Sequence, residues 1–133
     1  MMEVAAGGAQ QGRLYTVTAL AAELGVTARA IRFYEDKGLI RPSRVGATRV
    51  YSHREHGRMQ LILRGKRLGF SLREIKEFLD LYDVDPEHDE QKRLLLRGVR
   101  DRIRQLRAMS AALTRTLDEL QAIELQVASD LER

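Results

Sequence analysis

The spacing of apolar residues predicts two short helices near the start of the chain. In TVTALAAELGV the apolar positions follow in steps of three and four residues, which is typical of a helix with one buried face. Either Thr16 or Thr18 can cap the start of this helix, and Gly25 ends it. Thr27 is the natural N-cap of the second helix, which Gly38 closes. Two helices joined across a Leu-Gly-Val turn have the spacing of a helix-turn-helix motif.

The next segment, SRVGATRVYS, predicts a short β-hairpin, because a glycine separates two β-prone stretches. Arg41, Arg44 and Arg49 lie in or beside it, and it holds no acidic residue. A basic two-stranded ribbon beside a helix-turn-helix is a wing, which can lay Arg44 and Arg49 along DNA phosphates. Solubilising charge on an exposed loop is the alternative, but arginines without an acid favour an anionic partner.

Two further helices are predicted in SHREHGRMQLILRGKRLGFSLREIKEFLDLY. Gly69 separates them, and Ser71 with Glu74 three residues later indicates a capping box at the start of the fourth helix. Their apolar faces comprise Met59, Leu61, Ile62 and Leu68 on one helix and Leu72, Ile75, Phe78, Leu79 and Tyr82 on the other. His53 and His56 are expected to be caps or surface residues, because three histidines and no cysteine make a poor metal-ligand set.

From about residue 89 the apolar residues follow a heptad pattern, which predicts one long helix with a coiled-coil seam over residues 89–128. The predicted dimer-interface residues are Leu96, Val99, Ile103, Leu106, Leu113, Leu117 and Leu120. Ser110 and Glu124 interrupt the stripe and are expected to set its register or orientation. An isolated helix has nothing to bury this stripe against, which favours an identical partner chain. The alternative is a helix that folds back on its own domain.

Length and composition exclude several classes of protein. A chain of 133 residues, 44% hydrophobic and 32% charged, suits one small domain plus an extended element and leaves little room for an enclosed catalytic core. The absence of cysteine excludes thiolate nucleophiles, thiol redox sensors and thiolate metal ligands. No apolar run is long enough to span a bilayer, and the first dozen residues do not resemble a signal peptide, so we expect a cytoplasmic protein with no membrane partner.

The net charge of +4 is unevenly distributed. Residues 1–82 hold 14 Lys and Arg against 8 Asp and Glu, a balance of +6, whereas residues 83–133 hold 9 against 11, a balance of −2. Clustered Lys and Arg are typical of nucleic-acid binders, because neutralising phosphates releases counterions. The first part of the chain is therefore the candidate for binding double-stranded DNA.

The second helix of a helix-turn-helix lies in the major groove, with its first residues near base edges. We expect Arg29 to reach a guanine edge or a phosphate, and Arg32 and the Tyr34 hydroxyl to hold the DNA backbone. Tyr51 is expected to stack or bond at the base of the wing. An ordinary amphipathic surface helix is the alternative interpretation of ARAIRFYEDKG. The predicted DNA-binding set is Thr27, Arg29, Arg32, Phe33, Tyr34, Arg44, Arg49 and Tyr51.

The chain resembles the MerR-type transcriptional regulators from about Tyr15 to about Leu125. The resemblance lies in YTVTALAAELGVTARAIRFYEDKGLIRPSR, TRVYS, RGKRLGFSLREIKEFLDL and the long helix. It implies a mainly α fold: a winged helix-turn-helix domain and a long C-terminal dimerisation helix that pairs as an antiparallel coiled coil. It also implies a homodimer on a palindromic operator within an overlong promoter spacer, which the dimer bends and untwists for RNA polymerase.

Carried over by position, the resemblance assigns DNA contacts to Arg29, Arg32, Tyr34, Arg49 and Tyr51. The assignment of Arg44 stays open, because Ala-Thr here replaces the Gly-Tyr that usually precedes the wing arginine.

The cysteines of the family's metal and redox sensors are absent, so no cofactor or metal site is predicted. A small-molecule effector of unknown identity remains open. DVDPEHDEQKRLLLRGVRDRIRQLRAM is similar to a proteobacterial subgroup associated with branched-chain amino acid and acyl-CoA catabolism. For DVDPEHDE itself, a solvated joint between helices is favoured over an effector site.

The predicted organisation is a disordered tail over 1–13, the winged helix-turn-helix domain over 14–83, a linker over 84–88, the coiled-coil helix over 89–128 and a tail over 129–133. No nucleophile-and-base pair or glycine-rich phosphate loop is evident, so no enzyme is predicted. Two alternatives are a coiled-coil adaptor and a non-regulatory DNA-binding protein without an effector. An adaptor explains the long helix but gives no reason for the arginines of the first domain.

Overall fold

The computed structural model describes residues 12–84 and 87–133, excluding the side chains of residues 82 and 83. The helices are α1 Val17–Leu24, α2 Ala28–Asp36, α3 His53–Leu68, α4 Leu72–Val84 and α5 Asp89–Leu131, and the strands are β1 Leu14–Tyr15, β2 Ser43–Val45 and β3 Thr48–Ser52. The mainly helical fold with a small wing and a long C-terminal helix is confirmed. Residues 1–11 of the predicted tail and 85–86 of the predicted linker lie outside the described part.

The helix-turn-helix is built by local caps that match the prediction. The Thr16 hydroxyl accepts a hydrogen bond from the backbone N–H of Ala19 at 3.1 Å, so Thr16 rather than Thr18 caps α1. Thr27 does the same for α2, accepting from Ala30 N–H at 3.0 Å. These bonds satisfy N–H groups that a helix start leaves without partners. The start of α2 is therefore fixed by its own sequence.

Glycines end both helices of the motif. Gly25 has a φ of 71° and Gly38 a φ of 79°, in the left-handed region that other residues rarely adopt. At the end of α2 the N–H groups of Gly38 and Leu39 donate to the carbonyls of Glu35 and Tyr34, at 2.9 and 3.0 Å. This pair of bonds is a Schellman cap, which turns the chain sharply out of α2 toward the wing.

The wing is part of a three-stranded antiparallel sheet in the order β1-β3-β2. The predicted hairpin pairs Ser43 with Val50 and Val45 with Thr48. Strand β1 was not predicted, because two residues are too few to show an alternating pattern. It pairs Tyr15 with Tyr51 and so fastens the start of the domain to the wing.

Capping boxes start both α3 and α4. The box of Ser71 and Glu74 is confirmed: each side chain accepts the other's backbone N–H, at 3.0 and 3.1 Å. A second box, at Ser52 and Glu55, was not predicted. There Glu55 Oε1 accepts from Ser52 N–H at 3.1 Å and from its hydroxyl at 2.7 Å. The second box joins the last residue of β3 directly to α3.

The core lies between the helix-turn-helix, β3 and the pair α3 and α4. Its fully buried side chains include Leu20, Ile31, Leu39, Ile40, Met59, Ile62 and Leu79. Arg58 crosses this core, donating through Nε to the carbonyl of Leu39 at 2.8 Å and through a terminal nitrogen to that of Leu79 at 3.2 Å. The end of α2 is thereby tied to α4. Gly65 lets α3 approach α4 closely, because a Cβ there would lie 3.0 Å from Ile75.

Two expectations for α3 were wrong. His56 is buried rather than a cap or surface residue: its ring stacks on Tyr15 with centroids 5.4 Å apart, and its Nε2 lies 3.3 Å from Glu23 Oε1. Strand β1 provides the cover for this ring, and that strand could not be recognised from the sequence. Leu68 is 48% exposed rather than part of the buried face.

The chain divides into two compact units, with the boundary between Lys92 and Arg93 inside α5. The start of α5 belongs to the first unit, where the buried side chain of Gln91 donates to the carbonyl of Phe78 at 2.9 Å. The rest of α5 forms the second unit. The observed helix extends three residues beyond the predicted end at residue 128. In the described part of the chain, no helix has the length and apolar character needed to cross a membrane.

We predict that Ser52→Ala lowers the free energy of unfolding by about 1 kcal/mol, because it removes the hydroxyl from the capping box at the start of α3. Urea denaturation of the variant and the wild type measures the difference. Ser43→Ala is the control, since Ser43 is exposed on β2 and caps no helix. An equal loss from both variants would show that the cap contributes nothing.

Candidate nucleic-acid interface

Five of the predicted DNA-binding residues lie on α2 or at its N-cap. Thr27 is the cap, and Arg29 in the first turn is exposed, as is Arg32 one turn later. Phe33 is 44% exposed although it is a large apolar side chain, and the adjacent Tyr34 is half-buried. Ile31 faces the opposite way and is fully buried, which fixes the rotation of the helix about its axis. We call α2 the recognition helix.

Phe33 is held in place on this surface by its neighbours. Its ring meets the Tyr34 ring edge-on, with centroids 5.3 Å apart. Lys37 places its ammonium 5.6 Å from the Phe33 centroid, within the range of a cation–π contact. An aromatic face with a cation above it is suited to lie against a DNA backbone, which offers apolar sugars and anionic phosphates.

The wing brings two arginines face to face. Arg44 on β2 and Arg49 on β3 are directly opposite each other in the antiparallel register. Like charges at such a position destabilise a hairpin unless an anion lies nearby. Arg44 is exposed and makes one long contact, to the carbonyl of Ala47 at 3.5 Å. Arg49 is partly buried and does have an anion beside it.

That anion is Glu35 on the recognition helix. Its Oε2 accepts a hydrogen bond from Arg49 Nε at 3.2 Å, and its Oε1 accepts one from the Tyr51 hydroxyl at 3.0 Å. Arg49 and Tyr51 are two residues apart on β3 and therefore point to the same face of the wing. We call these two contacts the Glu35 bridge. It joins the recognition helix to the wing, and sequence analysis did not identify it.

Tyr51 lies inside this arrangement rather than on its surface. Its side chain is fully buried, so in the free chain it presents no surface to a phosphate. Burial raises the pKa of Tyr51, and so do the hydrogen bond to Glu35 and the charge of that carboxylate, whereas the charges of Arg49 and Arg32 lower it; the net result is a pKa of about 12. The hydroxyl therefore stays protonated and donates to Glu35 throughout the neutral and moderately basic range.

Along α5 the predicted dimer-interface residues are mostly exposed. Leu96, Ile103, Leu106, Leu113, Leu117 and Leu120 are between 42% and 65% exposed, and Val99 is half-buried. Two further apolar residues, Met109 and Ile123, are also about half exposed. They stand immediately before Ser110 and Glu124, the two polar interruptions of the heptad pattern. Met109 and Ile123 thus supply apolar surface next to the two heptad positions that are polar.

Charge along α5 is strongly asymmetric. Residues 93–107 hold six arginines and one aspartate, a balance of +5, whereas residues 108–131 hold one arginine and four acids, a balance of −3. Two copies paired in parallel would bring the basic halves together. Antiparallel pairing places each basic half beside an acidic half, which is the electrostatically favourable arrangement.

Among residues 12–84 and 87–133, no three His, Asp or Glu side chains come together in a way that suits a metal ion. His56 is engaged with Tyr15 and Glu23, as described above. The chemistry offered by this surface is hydrogen bonding and positive charge on two elements that the Glu35 bridge joins.

Two family models match the chain. The model for the MerR HTH family regulatory protein matches residues 15–81, and the model for MerR, DNA binding matches residues 57–123. Together they extend from β1 into α5 and include the recognition helix and the wing.

Curated proteins with similar sequences are transcriptional regulators. The chain is 32% identical over 83 residues to the HTH-type transcriptional regulator CueR of Salmonella typhi, a match that covers 59% of this chain and 60% of CueR. It thus spans less than two thirds of that relative. It is 33% identical over 113 residues to the regulator ZntR of Escherichia coli strain K12, covering 79% of each protein.

A solved structure with the same fold is that of HiNmlR, described as a MerR family regulator lacking the sensor domain, bound to promoter DNA. The TM-score is 0.59 and the identity 25%, and the match covers 80% of both chains.

We predict that Tyr51→Phe destabilises the protein by about 2 kcal/mol below pH 10, because the hydroxyl no longer donates to the Glu35 carboxylate. The tyrosine pKa rises on folding from 10.0 to about 12, so the unfolded chain ionises first. The wild type must therefore lose this advantage as the pH rises through that interval, and the two stabilities converge.

Urea unfolding of both proteins between pH 8 and about pH 12 measures the convergence. Tyr34→Phe is the control, since it removes the hydroxyl of a half-buried tyrosine that is outside the Glu35 bridge. A difference between wild type and Tyr51→Phe that is constant over the whole range would contradict the assignment.

Proposed function

Because this chain belongs to the MerR family of helix-turn-helix regulatory proteins, we propose that it is a dimeric, sequence-specific transcriptional regulator. Its operator is a palindrome within a promoter spacer, and its binding distorts the DNA to control transcription. One observation supports this proposal above all. The recognition helix carries exposed arginines, and the Glu35 bridge holds a wing arginine beside that helix. The relative HiNmlR, of the same fold, is described as bound to promoter DNA.

Base reading is assigned to the first turn of the recognition helix. Arg29 is exposed there, next to the Thr27 cap, and can donate two hydrogen bonds to a guanine edge. Arg32, Phe33 and Tyr34 follow on the same surface and are assigned to the adjoining DNA backbone. Thr27 contributes through the orientation of the helix and through its position at the groove.

Phosphate contacts are assigned to the wing. Arg49 is held beside Glu35 and Arg44 stands opposite it, so a phosphate between them relieves the repulsion of two like charges. For Tyr51 the buried ring favours an indirect role: it holds Glu35, and through Glu35 the wing arginine, rather than touching DNA itself.

We propose a homodimer in which the two α5 helices pair antiparallel through Leu96, Val99, Ile103, Leu106, Leu113, Leu117 and Leu120. Exposure of most of this stripe supports a partner, and the basic and acidic halves of α5 support the antiparallel direction. Such a dimer carries two recognition helices related by a two-fold axis, which requires a palindromic site.

Control of transcription then follows from DNA deformation. Bending and untwisting the spacer realigns the two elements that RNA polymerase contacts, so deformation energy is converted into promoter activity. We place this activity in the cytoplasm, with no cofactor. An effector without thiol chemistry is proposed, since the chain has no cysteine. Acyl-CoA esters are the first class to test, on the basis of the segment after residue 82.

Two other functions are less well supported. A coiled-coil adaptor uses α5 but leaves the arginines of the first unit without a role, and no enzymatic activity is proposed for a chain whose relatives are regulators. A DNA-binding protein without an effector uses the same interface, so it differs only in its response to ligands. Salt separates the adaptor from both DNA binders, because duplex affinity falls steeply with salt and an adaptor has none.

We predict that Arg29→Ala weakens operator binding about tenfold or more while affecting random duplex much less, since it removes base contacts. Arg49→Ala is expected to weaken binding to both and to reduce the salt slope by about 1, since it removes a phosphate contact. Fluorescence anisotropy on an operator selected from random sequences, at several salt concentrations, measures both effects. Arg73→Ala, which removes an exposed arginine paired with Glu77 on α4, is the charge-matched control.

Equal losses on operator and random duplex for Arg29→Ala would rule out base reading. An unchanged salt slope for Arg49→Ala would rule out its phosphate contact.

We predict that single cysteines on α5 distinguish the two helix directions, since any cysteine introduced into this chain is its only thiol. In an antiparallel pair only a residue near the middle meets its own copy, whereas in a parallel pair every seam residue does. Val127 lies seven residues after Leu120, at the next equivalent heptad position, and is 51% exposed. Oxidation should therefore cross-link one of Leu106→Cys, Leu113→Cys and Leu120→Cys but neither Leu96→Cys nor Val127→Cys. Non-reducing electrophoresis gives the result.

Cross-linking at both ends would show a parallel pair. Leu113→Lys is the companion variant, which should sediment as a monomer because it places a charge in the seam; a persistent dimer would place the interface elsewhere.

A further inference from the structure

We propose that Glu35 is a specificity-setting positioning residue: it fixes the wing arginine in register with the recognition helix, so that phosphate contacts form only where the bases also match. This inference rests on the DNA-binding function proposed above. It concerns a carboxylate whose two oxygens are already engaged by Arg49 and Tyr51.

The geometry of the Glu35 bridge leaves part of the Arg49 guanidinium available for DNA. The carboxylate takes the Nε side of the group, at 3.2 Å. The Arg49 side chain remains 36% exposed. Because a guanidinium is a rigid planar fork, fixing one side sets the direction of the other. Glu35 therefore aims the donors that remain for a phosphate.

The carboxylate itself is held from the buried side. Tyr51 donates its hydroxyl to Oε1 at 3.0 Å, and its fully buried ring cannot move aside without breaking the core. Tyr51 also sits on the central strand of the sheet, paired with Tyr15. Contacts connect the sheet through Tyr51 and Glu35 to Arg49. The position of the Arg49 side chain is therefore restrained by residues of the core.

The negative charge of Glu35 opposes DNA binding. A negative charge beside phosphate-binding arginines repels any duplex, whatever its sequence. It lowers general affinity, so besides relieving the like charges of the wing we assign it a role in placing Arg49. Phosphate contacts set the orientation of a protein on DNA, and an arginine free to swing can satisfy phosphates in registers where Arg29 does not meet its base. Fixing Arg49 removes these alternative registers.

The test compares Glu35→Gln with Asp36→Asn. Both substitutions remove one negative charge from neighbouring positions of the recognition helix, but Asp36 is exposed and is not part of the Glu35 bridge. Glu35→Gln is expected to raise random-duplex affinity by up to about threefold, while the ratio of operator to random affinity falls about tenfold. Asp36→Asn is expected to shift both affinities together and preserve the ratio. Thermal melts confirm that both variants are folded.

A cycle with Tyr51→Phe tests the route of the effect. If Tyr51 acts by holding Glu35, Tyr51→Phe lowers the ratio of operator to random affinity as well. The double variant then has a ratio only slightly lower than that of Glu35→Gln alone. Additive losses, or an operator-to-random ratio unchanged in Glu35→Gln, would overturn the inference. If the ratio is unchanged while Arg49→Ala still weakens binding, only the positioning role fails. If the wild type binds no duplex at all, the proposed function fails first.

Discussion

One carboxylate joins the two elements that face DNA. Without Glu35, the wing would present Arg44 and Arg49 as like charges with no carboxylate to bridge them to the recognition helix. With it, the wing arginine, the buried Tyr51 and the recognition helix form one unit. The core then supports this unit from behind, through Ile31 and the Arg58 contacts to Leu39 and Leu79. The Glu35 bridge thereby fixes the position of Arg49 relative to the recognition helix.

Sequence analysis predicted the features whose signals are local. The caps at Thr16 and Thr27, the glycine stops, the hairpin and the Ser71 capping box all depend on residues within four positions of one another. The family resemblance extended this to the fold as a whole. What was missed depends on contacts that the chain makes only after folding. Glu35 meets partners 14 and 16 residues away, and His56 is covered by a two-residue strand that shows no pattern of its own.

The same distinction explains Tyr51. Its position next to the wing arginines suggested a DNA contact, and the alternation of side chains along β3 does place it on the same face as Arg49. The fold, however, buries that residue fully, because β1, α1 and α3 pack around β3. On α5, by contrast, the heptad pattern is a local signal, and the dimer interface that it indicates stays a prediction. The asymmetric charge of α5 favours antiparallel pairing of two copies of this helix.

Footprinting of the purified protein on the DNA upstream of its own gene and its neighbours is the decisive measurement for a dimeric DNA-binding regulator. We expect protection of two half-sites related by two-fold symmetry, with altered cleavage between them where the duplex is distorted. Repeating the footprint with acyl-CoA esters would show whether a ligand changes that distortion. A single protected half-site would contradict the symmetric dimer, and no protection on any fragment would contradict the DNA-binding function itself.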